Sequence, residues 1–278
     1  MNVRIATWNI NSIRTRLELL KEVIHNNKLD VILLQETKCQ DADFPLSYIQ
    51  SINWNCVYSG QKSYNGVAIL SKYPIELETN KLPLYSYTDN YNEERYIEAT
   101  ITINNKILRV ASIYVPQGAS VLQIGETLEQ SERFKYKIDF YNRLKERVNE
   151  ISINTNNFND EFVIFAGDFN VAQDEIDLHN PKVNNGNICF HPLERNALRE
   201  IKNVGLDDVF RVKYPETRQY TWWDYKTKGF ERNVGWRLDY LLSSQNVIKN
   251  TTNIYVDMKT RAQKKTSDHA PSVLEFNI

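Results

Sequence analysis

At 278 residues, 41% of them hydrophobic and 25% charged, the chain can bury a sizeable core and falls outside the disordered and fibrous classes. A net charge of −1 offers a polyanion no bulk attraction, so any nucleic-acid contact needs a local basic face. No apolar run approaches the roughly 18 residues of a membrane span, and MNVRIATWNIN shows no charged-then-apolar leader; with Cys39, Cys56 and Cys189 lacking CxxC spacing, a reducing cytoplasm, no membrane and no zinc knuckle are predicted.

In chain order, Val3–Trp8 reads as a strand that runs into Asn9 and Asn11, and Ile13–Asn26 as a helix. Val31–Leu34 is a strand ending in Gln35-Glu36-Thr37. Gly66–Leu70, Ile97–Ile103 and Ile107–Val115 follow as strands, the last carrying Tyr114 and stopping at Pro116-Gln117-Gly118. Glu129–Ile151 shows apolar residues at 134, 138, 140, 141, 144, 148 and 151, close to a helical period. The Asn-rich stretch 152–160 reads as an exposed loop. Phe162–Ala166 is a strand delivering Gly167-Asp168-Phe169-Asn170, and alternation lets Asp168 and Asn170 project from one side. Leu238–Leu242 carries Asp239, and Asp268-His269 precede the strand Ser272–Phe276. Strand pairs alternating with helices predict mixed sheets covered by helices, in a single domain over 1–278.

Six strand ends or starts thus offer acids, amides, a phenol or an imidazole. Singly, each has a bland reading: an Asp after a glycine usually caps a turn, and a lone Tyr is usually a half-buried core aromatic. Together they suit one site at converging strand ends. Carboxylates with amides are hard ligands for Mg²⁺ or Mn²⁺, which keeps positions open for water and phosphate oxygens. His, Tyr and Asn can donate to the non-bridging oxygens of a phosphodiester, and an Asp can activate water. Residue chemistry points to metal-assisted phosphoester hydrolysis with the substrate open.

The motifs WNIN (8–11), LQETK (34–38), YVPQG (114–118), GDFN (167–170), WWDY (222–225), RLDY (237–240) and SDHAP (267–271) resemble, in order and over nearly the whole chain, the exonuclease III branch of the AP endonucleases. The resemblance implies a DNase I-like, four-layer α/β sandwich of two packed mixed sheets flanked by helices. It implies a monomeric, Mg²⁺-dependent nuclease of base excision repair, with Mn²⁺ able to substitute. Such an enzyme cleaves double-stranded DNA 5′ to abasic sites and acts on 3′ ends as a 3′→5′ exonuclease and 3′-phosphatase.

Carried over by position, Glu36 is the principal metal carboxylate, completed by Asn9 or Asn11 and by Asp268, with Asp168, Asn170 and His269 a possible second metal position. Asp168 activates water held by Asn170, Tyr114 binds phosphate or stabilises the leaving group, and Asp239 orients His269. Trp222, Lys226 and Trp236 face DNA, as does Arg133 with Lys135 and Lys137, and one tryptophan is expected to be core while another lines a pocket. Asn184 and Asn187 fall where relatives place amides near the phosphate. Lys228, Arg232, Lys259, Arg261, Lys264 and Lys265 add a basic surround. Lipid or small-molecule phosphoesterases share the same acid, Asn and His set; the Trp-rich basic segment 221–240 argues for DNA instead. A catalytically silent DNA-binding module is disfavoured by the intact set of acids, Asn and His.

Overall fold

The computed structural model describes residues 1–83, 93–119, 126–155, 158 and 161–278. Twelve strands occur among them: β1 (Asn2–Asn9), β2 (Val31–Gln35), β3 (Asn55–Ser59), β4 (Val67–Ser71), β5 (Ile75–Thr79), β6 (Tyr96–Ile103), β7 (Lys106–Tyr114), β8 (Phe162–Asp168), β9 (Asp207–Asp208), β10 (Asp239–Ser243), β11 (Thr251–Val256) and β12 (Ser272–Asn277). They form two six-stranded sheets, ordered β11-β12-β1-β2-β4-β3 and β5-β6-β7-β8-β10-β9. At the centre of each lies one parallel pair, β1 with β2 and β7 with β8; the other pairings are antiparallel.

Alternation explains how the sheets stack. Val3 and Ile5, Val31 and Leu33, Leu108 and Val110, and Ile164 and Ala166 meet in one apolar layer between the sheets. The intervening residues face outward. Trp8, Ile32 and Leu34 pack with Leu20, Val23 and Ile24 of the helix Leu17–Asn26, whereas Val163, Phe165 and Ile113 pack with Tyr141, Leu144 and Val148 of the helix Glu132–Asn154. The result is the predicted α/β arrangement of two mixed sheets between helices.

Following the inner-facing positions along the central strands leads to the site. The apolar layer gives way to Thr7, Gln35 and Ser112, a buried polar row in which Gln35 Nε2 donates to Ser112 Oγ (2.9 Å) and Thr7 Oγ1 (3.1 Å). Two residues further on, the same faces present Asn9, Tyr114 and Asp168. Side chains that hydrogen-bond one another make a polar floor tolerable there. Gly167 is required by contact: a Cβ would lie 1.8 Å from the Ile113 carbonyl oxygen on the neighbouring parallel strand.

Several boundaries differ from the sequence expectation. The first helix begins at Leu17, because Ser12 and Ile13 donate backbone bonds to the Glu36 and Thr37 carbonyls and Ile13 to Arg16 form a turn. The long helix starts at Glu132, capped by Ser131 Oγ, and runs to Asn154, so residues 152–154 are helical and Ser152 is buried. Residues 156, 157, 159 and 160 of the expected loop lie outside the described residues. The strands β3, β5, β9 and β11 went unread, since their exposed or polar positions hide the apolar run.

Candidate active site

A cleft of about 330 Å³ opens where the carboxyl ends of β1, β2, β7 and β8 converge. Glu36, Tyr114, Asp168, Asn170, Asp268 and His269 line its polar part, and Trp222, Trp236, Ile188, Cys189 and Leu238 its apolar wall. Strand register sets two of these groups in one row with a third acid: Asp168 is the Cα partner of both Tyr114 on β7 and Asp239 on β10.

Asn170 reaches the site by a turn, with φ at 49°, and not by continuing the strand. Its backbone N–H donates to Asp168 Oδ1 (2.9 Å) and its Nδ2 to the Val115 carbonyl (2.9 Å), so the two side chains share one side as expected. Glu36 also has positive φ, 52°, an uncommon conformation for a residue with a long side chain and one that collects at functional sites.

Asn9 Nδ2 bridges the two halves, donating to Glu36 Oε1 (2.8 Å) and Asp168 Oδ2 (3.0 Å). The Lys38 ammonium lies 2.7 Å from Glu36 Oε2 and 2.7 Å from Asn11 Oδ1, while Asn11 Nδ2 donates to Asp268 Oδ1 (3.0 Å). Burial opposes ionisation of Glu36, yet Lys38 and Asn9 outweigh it and hold the carboxyl below its ordinary value. Burial likewise opposes ionisation of Asp268, and His269, Trp222 and Asn11 outweigh it.

On the other side, His269 Nδ1 lies 2.8 Å from Asp239 Oδ2, and Nε2 lies 3.6 Å from Asp168 Oδ2. Burial opposes protonation of His269, but Asp239 and then Asp168 raise it to about 10. Burial pushes Asp168 up to about 7, aided by Asp239 and opposed by His269. Tyr114 is raised well above its ordinary value, first by burial and then by Glu36, so its phenol keeps its proton.

The segment carrying Trp222 is held by a short ladder. Trp222 exchanges backbone bonds with Trp236 (2.9 Å each way), and the Trp223 N–H donates to the Asp268 carbonyl (3.1 Å). Trp222 Nε1 then reaches Asp268 Oδ2 at 3.0 Å. Trp223 is fully buried among Tyr220, Phe230 and Ala270. One tryptophan of WWDY is therefore core, and both Trp222 and Trp236 line the cleft.

Some expected surface cations are elsewhere. Lys137 is fully buried and Arg261 nearly so, the latter against Trp223, Tyr225 and Phe230, so neither is a surface contact for DNA. Asn184 and Asn187 donate to carbonyls of their own turn and do not line the cleft. Lys226, Lys228, Arg232, Lys259, Lys264 and Lys265 are exposed, outside the cleft lining. Arg133 is exposed in a second cleft that shares Tyr114 and Gln117 with the first. Lys38, Ile188, Cys189 and Leu238 were missed. Lys38 could have been read from its place two residues after Glu36, whereas nothing marked Cys189.

The endonuclease/exonuclease/phosphatase family matches residues 6–269. The chain belongs to that family. It is 30% identical to exodeoxyribonuclease III of Haemophilus influenzae over 99% of this chain and 100% of that protein. It superposes on a Neisseria 3′ phosphatase bound to a product DNA hairpin with TM-score 0.87 and 32% identity, covering 99% of this chain and 100% of that one. An AP endonuclease from Archaeoglobus fulgidus gives TM-score 0.84 at 33% identity, covering 99% of this chain and all of that one. The likeness read from the motifs is borne out, and family membership makes the chain a hydrolytic enzyme of phosphodiester or phosphomonoester bonds. Among the described residues no helix is long and apolar enough to cross a membrane.

The donors also fit a hard divalent cation. Glu36 and Asp268 are ionised oxygen donors at one end of the cleft, with amides beside them. Cys189 does not compete, because burial pushes its thiol up to about 12. Asp168, Asp239 and His269 also bring ligand-type atoms within 4.8 Å of one another, a second group of donors beside the first.

Proposed function

We propose that this protein is a Mg²⁺-dependent DNA repair nuclease cleaving the phosphodiester 5′ to an abasic site, with 3′→5′ exonuclease and 3′-phosphatase activity on duplex DNA. The carrying observation is one cleft that joins the proton-handling pair Asp168 and His269, a carboxylate cation site and an apolar wall of two tryptophans. The whole chain, 1–278, would act as a single catalytic domain, as a monomer, with the cytoplasm as its compartment. Three free cysteines fit a reducing environment.

Glu36 and Asp268, with Asn9 or Asn11 beside them, would hold Mg²⁺, whose chemistry is to neutralise charge developing on phosphate oxygens. Asp168, poised near neutrality, takes the proton of the attacking water, which Asn170 helps to hold. His269 as imidazolium and Tyr114 as phenol donate to the phosphate oxygens, and Asp239 keeps His269 charged and aligned. Water adds to phosphorus as its proton passes to Asp168, the bond to the 3′ oxygen breaks, and that oxygen takes up a proton from solvent, leaving a 3′ hydroxyl and a 5′ phosphate. Trp222 and Trp236 offer flat apolar surface to an extruded sugar without a base. Arg133, Lys226 and the other exposed cations would contact phosphates outside the cleft, giving salt-sensitive binding despite a net charge near zero.

Duplex oligonucleotides that are intact, abasic or 3′-phosphorylated, incubated with and without Mg²⁺, test this reading. Metal-dependent incision beside the abasic site is expected. Hydrolysis of a small phosphodiester with no action on any duplex would replace the reading by a small-molecule phosphoesterase.

A further inference from the structure

Lys137 is fully buried, a rare state for a lysine, and all three of its ammonium protons have acceptors. Nζ lies 2.7 Å from the Asn170 carbonyl, 3.0 Å from the Gln117 carbonyl and 2.6 Å from Glu194 Oε1. Glu194 in turn accepts from the backbone N–H groups of Cys189 (3.2 Å) and His191 (3.0 Å). Asn170, Gln117 and Cys189 belong to three different loops, and all three residues line the catalytic cleft. The stem matters as well: a Cβ on Gly118, whose φ is +79°, would lie 2.9 Å from Lys137 Cδ, so the 114–118 loop rests directly on the lysine.

We infer that Lys137, held by Glu194, is a positioning residue: one buried ammonium that fixes three cleft-forming loops relative to one another. Two fully desolvated charges are a poor device for stability alone, since an apolar pair of similar size commonly does as well. What an apolar pair cannot do is bond two backbone carbonyls. The bond to Asn170 is the consequential one, because that residue's left-handed backbone directs its amide at Asp168 and the cleft. The inference rests on the nuclease reading for its catalytic consequence and on geometry alone for the clamp.

The test compares wild type with Lys137→Met/Glu194→Gln, which removes both charges while leaving one side-chain oxygen to accept from either the Cys189 or the His191 N–H. On the wild type's best DNA substrate with Mg²⁺, kcat should fall on the order of 10²-fold, the scale of a small misplacement of reacting groups. KM and DNA affinity in EDTA should stay close to wild type. Amide exchange should quicken at Gln117, Gly118, Asn170 and Cys189 but not at Ile5 or Ile164 in the sheets. A folded double variant with wild-type kcat, or with lost kcat and unchanged exchange at those loops, overturns the inference. If that variant does not fold, Gly118→Ala lifts the same loop off the lysine while leaving the ion pair. It should also lower kcat, and wild-type kcat there overturns the inference. If wild type cleaves no DNA at all, the nuclease reading fails instead, and loop exchange alone decides the clamp.

Discussion

Asp168 and Asp239 face each other as direct partners across the β8–β10 ladder, both buried, with the His269 imidazole reaching from one carboxylate to the other. Two buried carboxylates in adjacent register would repel, and an imidazolium between them removes the conflict. The trio is therefore held together by charge, with His269 2.8 Å from Asp239 and 3.6 Å from Asp168. Strand pairing has set its chemistry: a shift of register by one residue would turn either acid to the other face.

The first expectation concerns that trio. In metal-free protein His269 should stay protonated well above neutral pH, and Asp239→Asn should lower its pKa, as NMR titration would show. A raised histidine stabilises the fold fully below its ordinary value near 6.5 and loses that contribution as pH rises through about 10. Urea unfolding should show wild type losing stability over this window and Asp239→Asn losing less. Activity should rise through about 7, where Asp168 gives up its proton, and decline towards 10. In the variant the alkaline decline should start at lower pH. An unchanged His269 titration would remove Asp239 as its partner.

A second expectation concerns the cation. Glu36→Gln should weaken Mn²⁺ or Mg²⁺ binding about tenfold or more by calorimetry, with the fold intact. Lys38 makes this sharper, because its ammonium sits between Glu36 and Asn11 as a resident positive charge. Lys38→Met should strengthen divalent-cation binding to the protein without DNA. Equal affinities in wild type and both variants would place the ion elsewhere.

Arg237 supplies a stability test. It is 2% exposed, with Nε 2.7 Å from Asp177 Oδ1 and Nη1 2.7 Å from Asp208 Oδ2. Burial opposes its charge, but Asp208 and Asp177 hold the guanidinium firmly ionised. Arg237→Met leaves two buried carboxylates short of a counter-charge and should cost about 3–5 kcal/mol in urea unfolding. Arg211 still pairs with Asp177, so Asp208 should bear most of the loss. A cost near zero would show that water reaches the pair.

Much of this site could be read from the chain because catalytic groups at strand ends interrupt apolar runs, and Asp168, Glu36 and His269 stand out against such runs. Lys137 could also have been read. It falls on the stripe 134, 137, 141, 144, 148, 151, the buried face of its helix, yet lysine's usual preference for solvent suggested a DNA contact. What the chain could not show was pairing across distance. No local pattern announces that Asp168 meets Asp239, that Asn9 joins Glu36 to Asp168, or that Cys189 reaches the cleft. Short strands such as β9, two residues long, exist only because β10 lies beside them.

The last expectation addresses substrate choice, which the catalytic trio alone does not decide. Trp236 lines the cleft, is half-buried and packs on Ala172, Leu178 and Phe190, with no side-chain bond to a catalytic group among the described residues. Trp236→Ala should therefore impair abasic-site cleavage more than hydrolysis of a small phosphodiester. The expected difference is roughly 1–3 kcal/mol, about five- to 150-fold. Trp222 needs a different substitution, because its Nε1 also donates to Asp268 and truncation would disturb the cation site. Trp222→Phe keeps an aromatic face and removes that bond, so it should weaken both reactions through Asp268. Asp168→Asn should suppress both together, since every phosphoester needs the activated water. The ratio of the two rates is the measurement, taken on variants whose thermal unfolding matches wild type. A folded Trp236→Ala protein with an unchanged ratio would show that this wall does not select DNA, and a small phosphoester would become the better substrate.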